Sequence, residues 1–370
     1  MIYRILLFSL CFTLSLAAQS QLPHPEEAGV REALMNYING RNQGKPEVLA
    51  EAFHPKADLR HIKNDSLRIW PAMDYVQAMS GGKVQDCKAR IVYTDITGDA
   101  AQAKIELEYP NKIYADYLNL LKIEGKWQVA VKTFSGQPIT KKVLFVVTSH
   151  EQMGDTGRKT GLHLGEVSHV YKPLHDAGYT IDIMSPKGGQ TFMYGTDMND
   201  ANNVWFMQNP TAYHKLTHTL KPAEVKAEEY AAIYFVGGHG TMWDLPENKE
   251  IASIATVIYE KNGVLAAVCH GPAGIVNLKL SNGKYLVSGK QLTSFTDEEE
   301  RATGQAEVVP FLLETQLREH GGKFSGADNW QENVVVDGRL ITGQNPASAG
   351  KLAQAIIQQL EAESALSEKK

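Results

Sequence analysis

Short, almost purely apolar runs constrain the fold of this chain more than any other feature. They predict strands at Val143–Ser149, Thr180–Met184, Ala231–Val236 and Val264–Val268. Segments with helical periodicity alternate with them, at Leu164–Asp176, Lys249–Lys261, Val308–Glu319 and Ala347–Leu360. A strand that is apolar on both faces must be covered on both sides. The pattern therefore predicts a mostly parallel sheet between helices, with ligands bound beyond the carboxyl ends of the strands.

The first twenty residues are typical of a secretory signal peptide. One arginine, Arg4, precedes the apolar stretch Ile5–Leu16, and the small residues Ala17 and Ala18 suit cleavage. The stretch is too short for a comfortable membrane span. We therefore expect residues 1–18 to be removed and the mature protein to be periplasmic or secreted, without a membrane anchor.

Composition bounds the remaining possibilities. A chain of 370 residues is longer than one core usually serves, so two domains are expected. The net charge is -5 and the charges alternate in sign, which argues against a nucleic-acid partner. After cleavage Cys87 and Cys269 remain, too few for a disulfide framework. The turn-forming segment Ser135–Pro138 is the predicted boundary, with domains at 24–136 and 140–363.

The amino-terminal region has a different rhythm. Helices are predicted at Glu26–Gly40 and Pro46–Phe53, before strands at Ala89–Thr94, Ala101–Tyr109, Tyr114–Ile123 and Trp127–Phe134. Two helices followed by long strands favour an α+β cone-shaped roll, whose mouth is a natural place for a pocket. The candidate lining residues are His54, Asp58, Arg60 and Asp116, although polar residues on a half-exposed sheet are more often simply solvated.

Three motifs in this region carry a family resemblance. They are Tyr37-Ile38-Asn39-Gly40, Phe53-His54-Pro55-Lys56-Ala57 and Leu120–Val129. With them the segment resembles the nuclear-transport-factor-two-like superfamily, in particular its SnoaL-like and lumazine-binding members. The resemblance indicates the fold and says little about function; the roll could bind a small molecule or mediate a homodimer.

Cys269 is the strongest candidate for chemistry. It follows the apolar run Val264–Val268 directly and precedes Gly271 and Pro272, which predict a sharp turn into a helix. At such an elbow, backbone N–H groups and the helix dipole favour the reactive thiolate. The alternative is a small buried hydrophobic residue, the role of most lone cysteines.

Two other segments should meet Cys269 at the same edge of the sheet. Gly237, Gly238 and His239 follow a strand, and their amides could form an oxyanion hole with that of His270. Glu166 borders the apolar face of a predicted helix, where a carboxylate needs a partner. His163, Glu166 and His169 share one helical face, but without a fourth ligand we expect no metal.

Seven motifs, in order, carry a second resemblance. They are Thr160-Gly161 with Glu166, Ala177–Tyr179, Ser185–Gly189, Gly237–Gly240, Ala267–Pro272, Phe295–Glu299 and Thr342–Ser348. The region from Lys141 to about Leu360 is similar to the ThiJ/PfpI (DJ-one) superfamily, of class I glutamine amidotransferase-like, flavodoxin-like fold, and to its glyoxalase III and heat-shock chaperone branch. One departure is visible after Gly189, where the chain has Gln190–Gly195 in place of a Pro-Asp segment.

The resemblance implies roles for these residues. Cys269 would be the nucleophile, Glu166 its carboxyl partner and His270 its neighbour. An acid after Phe295 would orient His270, with Asp297 and Glu299 as the candidates. Thr296 and Glu299 also fit a capping box, which is a structural reason for that acid.

These roles favour a cofactor-free enzyme acting on small carbonyl compounds. A thiolate adds readily to a 2-oxoaldehyde such as methylglyoxal, and a proton shift followed by hydrolysis yields a hydroxy acid. Related possibilities are removal of glycation adducts from proteins and amide or peptide hydrolysis. A different class of hypothesis is a stress protein or chaperone in which Cys269 senses oxidation.

Overall fold

The computed structural model describes residues 24–79, 83–110, 112–139 and 141–367. The expected signal peptide lies outside these residues. The chain divides into two compact units, one mainly amino-terminal and one mainly carboxy-terminal. No helix within the described ranges is both long enough and apolar enough to cross a membrane.

The amino-terminal sheet is wrapped against short helices. Its helices are α1 (Glu27–Asn42), α2 (Pro46–Ala52) and α3 (Ala72–Ala78), and its strands are β1 (Phe53–Lys63), β2 (Ser66–Pro71), β3 (Lys88–Thr97), β4 (Ala100–Tyr109), β5 (Lys112–Ile123) and β6 (Lys126–Pro138). The strand order is β2-β1-β6-β5-β4-β3, with β1 parallel to β6. The α+β roll is confirmed, but β1, β2 and α3 were not predicted, because polar and charged residues interrupt them.

The carboxy-terminal unit is the predicted α/β sandwich. Its sheet contains β7 (Lys142–Val146), β9 (Thr180–Met184), β11 (Tyr230–Phe235), β12 (Val264–Val268), β15 (Val334–Asp337) and β16 (Leu340–Gly343), and shorter strands are β8 (Leu162–His163), β10 (Met193–Tyr194), β13 (Gln291–Leu292) and β14 (Lys323–Phe324). The order β15-β16-β12-β11-β7-β9 is parallel except at β15. Because β12 lies between β11 and β16, the residues that end these strands meet at one edge.

Helices cover both faces of this sheet. They are α4 (Leu164–Asp176), α5 (Ala201–Gln208), α6 (Pro210–Thr217), α7 (Thr241–Asp244), α8 (Lys249–Glu260), α9 (Asp297–Ala302), α10 (Leu313–Glu319) and α11 (Ala349–Ser367). Side chains of α4 and α11 fill one core, and those of α8 fill the other. The helix predicted from Val308 begins only at Leu313, because Pro310 lacks an N–H and disfavours helix before it.

Candidate active site

Cys269 occupies the predicted elbow. It directly follows β12 and precedes a single 3₁₀ turn, Gly271–Gly274. Its φ of 57° lies in the left-handed region that a cysteine rarely adopts. The surroundings hold this conformation, since its N–H donates to Gly343 O and its carbonyl accepts from Phe295 N, both at 2.9 Å. Such strain is typical of a functional position.

His270 contacts the thiol directly. Its Nδ1 lies 3.3 Å from Cys269 Sγ, and its Nε2 lies 2.7 Å from Glu300 Oε2. Burial, and then the charge of His239, lower the pKa of His270 to about 4. The imidazole is therefore neutral at pH 7, with Nε2–H donating to the carboxylate and Nδ1 free to accept the thiol proton.

Glu300 is the acid that orients His270, and the expectation of Asp297 or Glu299 was wrong. Burial alone would raise the pKa of Glu300, but the charges and hydrogen bonds of His270 and His239 hold it well below its usual range. The carboxylate is thus ionised and fixes the tautomer of the ring beside it.

The two predicted acids have other partners. Glu299 closes the capping box of α9, accepting from Thr296 N at 3.0 Å, and binds Trp330 N and Asn345 Nδ2 through its second oxygen. Asp297 lies on the other side, where it accepts from Thr315 Oγ1. The capping-box pattern in the sequence could have ruled out Glu299 as the acid that orients His270, which would have left Glu300 as a candidate.

Glu166 is the buried carboxyl beside the thiol. It lies in the first turn of α4 with no exposed surface, and Oε2 accepts from Gly237 N at 2.8 Å. Burial raises its pKa to about 8, although interactions with Cys269 and Gly237 oppose the shift. The pKa of Cys269 is raised by burial and by the charge of Glu166, so the expected stabilisation of a free thiolate was wrong. Because the two anionic forms would repel each other, the pair retains protons that separate groups would lose.

Gly237 allows this pair to form. A Cβ at this position would lie 2.9 Å from Cys269 Cβ and closer still to Glu166 Oε2. Its amide is already occupied by Glu166, so the expectation that it serves an oxyanion hole was wrong in this arrangement. Gly238 has a φ of 101° and passes close to Gly161 O, so it also requires the absence of a side chain.

His239 binds the same carboxylate as His270 from the other side. Its Nε2 lies 2.9 Å from Glu300 Oε1, and the two imidazole centroids are 4.0 Å apart. The ring of His239 therefore contributes to the site by binding Glu300. From its sequence context, His239 was instead predicted to bind the substrate or the oxyanion. Its Nδ1 lies 3.3 Å from the hydroxyl of Tyr194.

Tyr194 was not predicted as a site residue. It lies in β10, which pairs with β8 so that Tyr194 is opposite His163. This is the segment in which the chain departs from the pattern of the resembling branch, and that departure was the available signal. Burial, followed by the charges of Cys269 and Glu166, raises its pKa well above the ordinary value.

One group within the described ranges has ligand atoms close enough for a metal ion. His239, His270 and Glu300 place one such atom each within 4.8 Å of one another. Both histidines already form hydrogen bonds to Glu300, so a metal would compete with the contact that orients His270. His163, Glu166 and His169 do not form such a group within the described ranges. His163 Nδ1 lies 4.0 Å from Glu166 Oε1, and His169 pairs with Asp200 at 2.6 Å.

The amino-terminal candidates do not form one site. Asp58 and Arg60 form a partly exposed ion pair at 2.8 Å, and His54 accepts from the amide of Lys56. Asp116 is buried, where Oδ2 accepts from Lys132 Nζ at 2.8 Å and from the hydroxyl of Tyr37. Of the four candidates, Asp116 is the one within the core of the roll.

Comparison with known proteins decides the family. Residues 159–359 match the model of the DJ-1/PfpI family. The chain belongs to the DJ-1/PfpI family. Residues 25–135 match a second model, described as "Putative lumazine-binding", which confirms the resemblance of the amino-terminal region.

Relatives of this DJ-1/PfpI protein cover its carboxy-terminal part. Glutathione-independent glyoxalase HSP31 of Saccharomyces cerevisiae is 33% identical over 232 residues, 58% of this chain and 95% of the relative. Among solved structures, the rapid encystment protein of Francisella tularensis is 42% identical with a TM-score of 0.58, covering 60% of this chain and 99% of its own. Glyoxalase III from Candida albicans is 29% identical with a TM-score of 0.54, covering 59% of this chain and 97% of its own.

Proposed function

We propose that the carboxy-terminal domain converts methylglyoxal to lactate without glutathione or another cofactor. The observation that carries this proposal is the convergence on Cys269 of a neutral histidine at 3.3 Å and a buried carboxyl whose pKa is about 8. The glyoxalase names of HSP31 and the Candida albicans enzyme favour the same reaction. A base with a pKa near neutrality is well suited to moving a proton between carbons.

The first step is addition of the thiol to the aldehyde carbon. Cys269 Sγ forms the new C–S bond while Nδ1 of His270 takes the thiol proton, as its neutral state allows. Glu300 stabilises the resulting imidazolium through Nε2. The carbonyl oxygen accepts the negative charge and then the proton, giving a hemithioacetal.

The second step is an internal proton shift. The carboxylate form of Glu166 removes the hydrogen from the former aldehyde carbon, giving an enediol, and returns a proton to the adjacent carbon. The first carbon becomes a thioester carbonyl, so one carbon is oxidised while its neighbour is reduced. Water then cleaves the thioester, releasing lactate and the thiol. Methylglyoxal and one water balance one lactate, so no external electron carrier is required.

The alternatives are distinguished by the state of the thiol. An oxidation sensor needs an exposed thiol with a low pKa. Cys269 is only 3% exposed, and burial raises its pKa. This favours turnover over sensing. Protein glycation adducts present the same carbon skeleton, so they belong in the substrate screen.

The test is lactate formation by the purified mature chain without glutathione. We expect Cys269→Ala to lose activity to background, while Cys87→Ala, which changes the other cysteine of the described ranges, retains it. In D2O, lactate with both retained and solvent-derived hydrogen at the hydroxyl-bearing carbon would report transfer by a shielded base. Full activity of Cys269→Ala would contradict the assignment of Cys269 as the nucleophile.

We also propose that this reaction takes place outside the cytoplasm. The proposal rests on the amino-terminal pattern Arg4, Ile5–Leu16 and Ala17-Ala18. Expression of the full chain followed by cell fractionation and amino-terminal sequencing tests it. Recovery of an uncleaved chain in the cytoplasm would contradict it.

A further inference from the structure

The hydroxyl of Tyr194 is held beside the reacting groups by the backbone. The amide of His239 donates to it at 3.2 Å, and β10 pairs with β8 to fix the position of the ring. The ring meets that of His163 edge to face, with centroids 5.3 Å apart. The amide occupies an oxygen lone pair and leaves the phenolic proton free to point elsewhere.

That proton has a weak resting partner. In the neutral tautomer of His239 that donates from Nε2 to Glu300, Nδ1 is an acceptor, and it lies 3.3 Å from the Tyr194 oxygen. A bond of this length is at the long end of the normal range for an O–H donor. Rotation about the C–O bond can redirect it to a stronger acceptor at small cost.

The surroundings keep Tyr194 a donor. Partial burial, and then the charges of Cys269 and Glu166, raise the pKa of the half-buried Tyr194 phenol well above its ordinary value. A phenolate is therefore disfavoured throughout the working pH range. A neutral phenol can stabilise a developing oxyanion by hydrogen bonding without losing its proton.

The site also lacks an amide that the sequence appeared to offer. Gly237 N–H donates to Glu166 Oε2 at 2.8 Å, so it does not point at the oxygen formed when the thiol adds to an aldehyde. A donor that is fixed by backbone contacts and whose proton is only weakly bound at rest fills this role. The phenol of Tyr194 has both properties.

We propose that Tyr194 is a catalytic residue that donates a hydrogen bond to the substrate oxygen as the C–S bond to Cys269 forms. This inference rests on the proposed function, because the kcat measurement that tests it requires conversion of methylglyoxal to lactate. No proton is transferred: the phenol turns from Nδ1 of His239 to the oxyanion, and turns back when product leaves. The substrates are aldehydes whose carbonyl group can lie within reach of both the Cys269 thiol and the Tyr194 hydroxyl.

The test compares Tyr194→Phe with Tyr213→Phe, which changes a partly exposed tyrosine on α6. Loss of one oxyanion donor lowers kcat by about 10²–10³-fold. We expect that loss in Tyr194→Phe with little change in KM, and wild-type kcat in Tyr213→Phe. Alkylation of Cys269 by iodoacetamide develops no oxyanion, so its rate should be unchanged in both variants, measured in a Cys87→Ser background.

A binding readout separates this inference from the proposed function. Carbon-13 methylglyoxal added to each variant reports the hemithioacetal by NMR, whether or not lactate follows. Weaker adduct formation in Tyr194→Phe supports the role of Tyr194 even if the wild type makes no lactate. Lactate formation and adduct formation at wild-type levels in Tyr194→Phe would overturn it and leave the proposed function intact. Absence of both from the wild type would overturn both proposals.

Discussion

Oε2 of Glu300 lies 2.7 Å from Nε2 of His270, while Glu299, the acid directly before it in α9, closes the capping box of that helix. The short distance fixes which imidazole nitrogen carries the proton and turns the other towards Cys269. Orientation of the base therefore depends on a carboxylate that never needs to approach the substrate.

Removal of that carboxylate charge should mainly affect turnover. We expect Glu300→Gln to lower kcat/KM by about 10²–10⁴-fold, because the amide can present its N–H to His270 and favour the wrong tautomer. Asp297→Asn, which changes an acid bonded to Thr315, should stay near the wild-type rate. Steady-state kinetics on methylglyoxal, with thermal unfolding as a check on folding, measure the difference. Equal losses in both variants would remove Glu300 from its assigned role.

A side chain at Gly237 should separate Glu166 from Cys269. Gly237→Ala places a methyl group within 2.9 Å of Cys269 Cβ, so we expect loss of most activity and reduced stability. Gly350→Ala is the matched control, because its Cβ meets nothing within 4 Å and it lies in α11. There, alanine should be neutral or stabilise by up to about 1 kcal/mol. Retained activity in Gly237→Ala would show that the glycine is not needed for the pair.

The raised pKa of Glu166 predicts a cost in stability that depends on pH. A pKa of about 8 in the folded protein, against 4.5 for the ordinary carboxyl, means that the folded state binds the proton more tightly. Its contribution to stability is full below pH 4.5 and is lost as pH rises through 8. As pH rises from 5 to 8, the free energy of unfolding of Glu166→Gln should therefore increase relative to that of the wild type, by about a few kcal/mol.

Thermal or urea unfolding of both proteins at the two pH values measures this gain. Lys351→Gln, at an exposed position on α11, controls for a general effect of charge. A difference between wild type and Glu166→Gln that does not change with pH would contradict the shift.

The buried ion pair of the amino-terminal roll should be costly to break from one side. Lys132 and Asp116 are 3% and 1% exposed, and Lys132 Nζ also donates to the hydroxyl of Tyr37 at 2.8 Å. Lys132→Met leaves the carboxylate buried without its cation, which should cost about 3–5 kcal/mol. The double variant Lys132→Met/Asp116→Leu should recover part of that loss. Equilibrium unfolding measures both, and a larger loss in the double variant would rule out the charge as the cause.

The sequence predicts elements with strong local signals. β9, β12 and α4 lie at the residues predicted, because short, largely apolar runs and a regular apolar helix face leave little freedom. β1 and β2 were missed because their pairing is set by distant β6 and by each other, and polar residues interrupt both strands. Local periodicity carries no information about such partners.

The site residues likewise differ in whether a local sequence signal reveals them or a distant contact positions them. Cys269, His270 and Glu166 stand beside strand ends or on a helix face that the sequence reveals. Glu300 and Tyr194 depend on the rotation of a short helix and on the pairing of two two-residue strands, β8 and β10. A rotation of about 100° between successive helix residues decides which acid meets His270. The capping box marks Glu299 as a structural acid in the sequence, but it does not show which of the other acids faces His270.

The left-handed backbone at Cys269 restricts how this protein can change over time. A φ of 57° is comfortable for glycine and costly for most other residues. A descendant that no longer needs the thiol would gain by placing glycine there, and alanine or valine would keep the strain without the chemistry. Glycine at this position in an otherwise intact relative would therefore mark lost catalysis more reliably than changes in the surrounding pocket.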